Sequence, residues 1–342
     1  MYSKLFQFLR QKTTLAAIVA STAVSGCVSL YAPVDGLSIK VPKTAQVNQD
    51  LRKKLAFIEN VKKMGVERFG LKESPHYSEY NDGSIPIDTL YLLVVTSPTI
   101  LPSRQGNSIF IDTDQEYREA LQGYVFFYSN ADKLEDEKEY YQKQGYDIYR
   151  RSTTNFNDGE RGCPITKDFL QRNKVNQAQT IFHEDCHYWV DKEIGEDFSS
   201  ELNESFCTVV GYAGTVNYFS GKEGKDSPDY QFAVDSFQWH QWYAQEINSY
   251  YSRLQEIYTN PKLILEEKLK QREAVFKDAE GSLGEKINNA VLLDRYPYTK
   301  YFHLMLKFHD ENGENLRITL EKMKDCPEAE QGALEFIVKN SK

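Results

Sequence analysis

The chain has 342 residues and a formal net charge of −9, with 50 acidic residues against 41 Lys and Arg. An acidic chain with no basic cluster excludes a nucleic-acid binder. Past residue 30 no uncharged run reaches the length of a membrane span. The 40% of apolar residues is enough for a sizeable core in one large domain.

The N-terminus differs from the rest. Lys4, Arg10 and Lys12 make a basic start, Thr13 to Val24 carries no charge, and Val24-Ser25-Gly26-Cys27 follows. This is the order of a secretory signal peptide, 1–26, ending in a lipobox. Cys27 is then the lipidated N-terminus, and its acyl chains give firm membrane attachment. Val28 stands where an Asp would suggest inner-membrane retention, so the expected location is the outer membrane of a bacterial envelope, facing the periplasm. Cleavage removes three positive charges and no negative one, which takes the formal charge to −12. Residues 27–48 read as the lipidated cysteine and a tether, and 49–342 as the folded domain. An oxidising compartment permits disulfides among Cys163, Cys186, Cys207 and Cys326. Their spacing does not choose a pairing, and buried thiols are favoured slightly for Cys186 and Cys207.

In chain order, apolar residues at 55, 58, 61, 65 and 69 predict a helix over 51–69. Strands are expected at 89–96, 108–112, 123–128 and 146–151, with a charged helix at 131–144 between the last two. Turn chemistry makes 155–164 a loop. Helices are then expected at about 165–191, 199–218, 229–258, 260–278, 284–295 and 314–325. The aromatic residues of 229–258, Phe237, Trp239, Trp242, Tyr243, Tyr250 and Tyr251, are expected in the core. The fold class is α+β: a small mixed N-terminal region followed by a mainly helical body.

The segment Thr180 to His187 contains His183-Glu184-x-x-His187. Residues four apart on a helix share a face, so both imidazoles can reach one Zn²⁺. Glu184 lies beside that face without being needed as a ligand, placed to take a proton from water and return it to a leaving amine. Glu204 opens the second of two predicted helices and is the expected third ligand. Two His and one Glu leave a position open, as catalysis requires. Asp191, Glu193, Glu196, Asp197 and Glu201 compete for that role. His240, His303 and His309 are expected as surface or packing residues.

These segments resemble the bacterial zinc aminopeptidases of the gluzincin clan, many of them lipoproteins. The resemblance extends to Phe69-Gly70-Leu71 with His76 to Tyr80, to the Gly-Tyr segments at 122–126 and 144–149, to Thr180–Tyr188 and Leu202–Thr208, and to Ile287 to Leu293 followed by Tyr296. It implies a zincin-like metallopeptidase fold, one zinc on His183, His187 and Glu204, Glu184 as catalyst, and a peptide substrate. Asp185-Cys186 departs from the small or apolar pair usual in the family, and the stretch from His187 to Asn203 is a few residues longer. Tyr296 and Tyr298 are candidates for stabilising the oxyanion, and Asn203 and Thr208 for holding the ligands. No residue carries a signature for α-amine recognition. An envelope endopeptidase or amidase, or a catalytically weak lipoprotein with a structural zinc, are the alternatives.

Overall fold

The computed structural model describes residues 31–34, 36–84, 90–101, 108–110, 124–128, 131–153 and 162–341. The expected signal peptide, Cys27 and most of the loop at 155–164 lie outside them. Among the described residues no helix is long and apolar enough to cross a membrane.

The fold begins inside the segment expected to be a tether. Strands β1 (Tyr31–Val34) and β2 (Leu37–Pro42) form an antiparallel hairpin. Ile39 and Val41 are buried in the main core, and the Lys40 amide donates to Ser78 O at 2.9 Å. Alternating Leu37, Ile39 and Val41 carry the strand signal; a partner is needed to turn it into a core element.

Helix α1 (Gln49–Met64) starts at an Asn48 cap and runs into a π-helical turn, Gly65–Phe69, closed by Gly70 in the left-handed region. After β3 (Tyr80–Asn81) comes the central strand β4 (Leu90–Thr96) of a four-stranded sheet. It pairs antiparallel with β6 (Tyr124–Tyr128) on one side and β7 (Asp147–Thr153) on the other; β5 (Ser108–Phe110) adds to β6 in parallel. Both faces of β4 are covered, which accounts for its unbroken apolar run. Leu93 and Val95 pack on Leu134 and Tyr141 of α2 (Ala131–Lys143), and Leu92 and Val94 pack on Ala290 and Leu293 further along the chain.

The helix expected over 165–191 is broken. Ile165–Thr166 forms β8, which pairs in parallel with β3. A short α3 (Lys167–Gln171) follows on a Thr166 cap, and Asn173 starts a new helix, α4 (Lys174–Glu193). The two capping side chains each take a backbone N–H that a continuous helix would have satisfied internally. Next come α5 (Ser200–Lys222), α6 (Pro228–Thr259), α7 (Leu265–Leu283) and α8 (Asn289–Thr299). Helices α9 (Phe302–Glu311), α10 (Leu316–Met323) and α11 (Glu330–Lys339) close the chain; α9 and α11 are additional to those expected.

The main core surrounds α4, whose Ile181, Phe182, Cys186, Trp189 and Val190 are buried, with α1, α5 and α6 packed against the helix. A second core joins α6, α7 and α8 through Ile247, Leu254, Phe276 and Leu292. The Asn288-Asn289 pair fastens α8 to the sheet. Asn288 caps the helix and donates to Ile148 O, and Asn289 donates to Ser97 O and accepts from Tyr258. The aromatic side of α6 is only partly core. Tyr243 and Tyr250 are buried, whereas Trp239 and Trp242 remain 52% and 39% exposed.

Candidate metal centre

Helices α4 and α5 pack along their length, and the pairing rests on small residues. A Cβ at Gly211 would lie 3.0 Å from Gln179 O and 3.3 Å from His183 Cβ, and one at Gly214 would strike the Phe182 ring. The close approach carries the ligand faces of both helices to a common point. His183 and His187 come from consecutive turns of α4, with rings perpendicular and centroids 4.6 Å apart. Glu204 comes from the first turns of α5.

His183 Nε2 and His187 Nε2 are 3.0 Å apart, and each is 3.3 Å from Glu204 Oε2. These three residues form a group that can hold a metal ion, with one ligand atom from each lying within 4.8 Å of the others. Of the acids between the motif and Glu204, Glu193 is engaged by Lys72 and Lys324 instead.

The proton positions follow from the partners. His187 Nδ1–H donates to Asn203 Oδ1 at 2.9 Å, which leaves the Nε2 lone pair facing the other two ligands. Lone pairs and a carboxylate so arranged repel one another unless a cation lies between them. Without an ion, a proton takes that place: burial alone would lower the His187 pKa, yet the Glu204 carboxylate outweighs it and raises it to about 10. Burial would raise Glu204, but the charge on His187 holds it well below the usual carboxylate range. Glu204 Oε2 is buried without a well-formed hydrogen bond from the protein. The donor set fits a small divalent cation.

Asn203 Oδ1 also accepts from Cys207 Sγ at 3.3 Å. The buried Cys186 thiol is a neighbour of Cys207, so two buried thiols stand behind the ligand helices. All four cysteines of the described residues are buried, and none is in a disulfide. Thr208 does not reach a ligand side chain; its hydroxyl donates to the Glu204 backbone carbonyl at 2.7 Å, a bond within its own helix.

The two candidate tyrosines separate. Tyr296 stacks on Tyr251, centroids 3.7 Å apart, and lies beside Lys300. Tyr298 is the one that stacks over His183, at 6.0 Å. The Ser205 hydroxyl donates to the Pro297 carbonyl at 2.8 Å and accepts from the Tyr301 amide, holding this end of α8 against the residue next to Glu204. Helical phase cannot reveal this, because the contact depends on how α8 crosses α5.

Asp185 and Cys186, the unusual pair within the motif, face away from the ligands. Asp185 accepts from the Ser74 hydroxyl and lies 3.7 Å from Lys62 Nζ, which also donates to Ser74 O and His76 O. A buried polar cluster thus joins α1 and the segment after it to the back of the motif. His76 is fully buried; its Nδ1 accepts from the Cys163 amide at 3.0 Å, and its pKa falls to about 3 through burial, then through the charges of Lys62 and His187.

A family model described as "Putative aminopeptidase" matches residues 33–333, from the N-terminal hairpin to the start of α11. No curated protein and no solved structure matches the chain.

Proposed function

The chain belongs to this aminopeptidase family, and on that footing we propose that it is a zinc-dependent, gluzincin-type peptidase that removes N-terminal residues from peptides in the cell envelope. The observation that carries this reading is the convergence of His183, His187 and Glu204 next to Glu184 on the open side of α4. Their separations of 3.0, 3.3 and 3.3 Å suit zinc. Donors of a tetrahedral ion bound at about 2.0–2.1 Å stand roughly 3.3 Å apart. A mixed fold in which a tightly packed helix pair, α4–α5, carries the three side chains is compatible with a zincin-like fold.

When bound, the ion supplies Lewis acidity, lowering the pKa of water to about 7 and polarising the scissile carbonyl. The remaining roles fall to side chains. Glu184 is half-buried and has no hydrogen-bond partner among the described residues. Its carboxylate takes the proton of the attacking water and delivers it to the leaving amine. Asn203 keeps His187 in the tautomer that offers Nε2 inward. Of the two candidate tyrosines, Tyr298, stacked over His183, is the better placed as donor to the developing oxyanion. Lipid on Cys27 holds the enzyme at the membrane in this reading.

Amino-acyl fluorogenic substrates and N-terminally blocked, internally quenched peptides, assayed with metal-loaded and chelator-treated protein, test the proposal. Release from free-amine substrates that stops on chelation and returns with zinc supports it. Efficient cleavage of the blocked peptides moves the reading to an endopeptidase. No metal bound at all reduces the protein to a scaffold.

A further inference from the structure

The open face of α4 continues past the ligands. Asn176, Thr180 and Glu184 follow one another at four-residue spacing and all reach solvent, with Gln179 and His183 beside them. At the far end of this stripe lies a cavity of about 410 Å³. Asn176 and Gln179 form its floor; Tyr212 of α5 and Phe232, Asp235 and Trp239 of α6 form its walls. It shares the α4–α5 seam with the metal centre, since Gly211 touches both Gln179 and His183.

The lining contains three aromatic rings, one carboxylate and no Lys, Arg or His. Two of the rings are braced from behind. Tyr212 stacks on Phe237 at 5.5 Å and on His240 at 4.8 Å, and Trp239 stacks on Tyr243 at 4.8 Å. Even so, Phe232 and Trp239 leave 46% and 52% of their surface in solvent. Asp235 has no ion-pair partner among the described residues. Aromatic faces next to an unpaired carboxylate attract a cation on an apolar stem, the build of a lysine or arginine side chain.

Position along the helix says which part of a peptide arrives there. From Glu184 back to Asn176 is roughly 12 Å of helix. An extended peptide covers that in about three to four residues at ~3.3 Å each. The free α-amine of an aminopeptidase substrate sits on the carbon next to the scissile carbonyl, too near the metal to reach the cavity. Only the leaving side of the substrate extends that far.

We propose that this cavity is a specificity pocket for a lysine or arginine side chain on the leaving side of the peptide, about three residues beyond the scissile bond. The proposal rests on the peptidase reading above, and its test separates the two. Alanine-based peptides with lysine or its uncharged isostere norleucine at successive leaving-side positions are titrated against the full mature chain, following tryptophan fluorescence, and are then assayed for cleavage. The expected result is a preference of about fivefold or more for lysine at one position, in binding and in kcat/KM, which disappears in Asp235→Asn and weakens in Trp239→Leu. Equal binding of lysine and norleucine peptides, or a lysine preference untouched by Asp235→Asn, overturns the pocket. An Asp235-dependent preference in binding without any cleavage keeps the pocket and sinks the peptidase reading instead.

Discussion

Asn203 Oδ1 accepts from His187 Nδ1 at 2.9 Å, so the residue immediately before one metal-site side chain sets the tautomer of another. The same oxygen accepts from Cys207 Sγ at 3.3 Å, which holds the amide in place. Asn203→Ala is therefore expected to weaken metal affinity about 10–100-fold with little change in fold. Chelator competition beside a circular dichroism spectrum measures both; unchanged affinity would show that the hydrogen bond is incidental.

Ligand and base are expected to separate cleanly. Glu204→Ala should lose bound metal, whereas Glu184→Gln should keep it and lose about 10²–10⁴-fold in kcat. Metal content and single-substrate kinetics on the two variants check this. Metal loss in Glu184→Gln would place Glu184 among the ligands.

Lys62 and Asp185 are 15% and 3% exposed in their side chains and depend on each other. Burial raises the Asp185 pKa, and Lys62 opposes that rise. Lys62→Met should cost about 3–5 kcal/mol, because it leaves a buried carboxylate with Ser74 as its remaining side-chain partner. The double variant Lys62→Met/Asp185→Asn should cost less than the sum of the two single changes. Urea denaturation gives the coupling; strict additivity would mean the pair does not interact.

His309 is 3% exposed, its Nδ1 is bonded with the Thr319 hydroxyl at 2.8 Å, and burial lowers its pKa to about 4 from 6.5. The unfolded chain takes up a proton there before the folded one does. Its contribution is therefore complete above pH 6.5 and lost as pH falls toward 4, by up to about 3 kcal/mol. Denaturation at pH 7.5 and pH 5 should show a smaller difference for His309→Gln than for wild type. An identical pH dependence would exclude His309 as a source of acid sensitivity.

What the sequence determined by itself is local in origin. Residues four apart on a helix share a face whatever surrounds them, so His183, Glu184 and His187 were legible as a turn able to hold a metal ion. The β-forming run read at 89–96 was equally legible, because a strand covered on both faces has no polar alternation to hide it. Only the tertiary structure decided matters that depend on how elements cross. It selected Glu204 among the neighbouring acids by bringing α5 onto α4 at Gly211. It gave the ring contact with His183 to Tyr298 rather than Tyr296, turned Asp185 toward Lys62, and drew Ile39 and Val41 of the expected tether into the core. It also left Trp239, which the sequence reads as core, at the mouth of a cavity. Each of these depends on long-range packing, and spacing along the chain carries no record of which distant surface a side chain will meet.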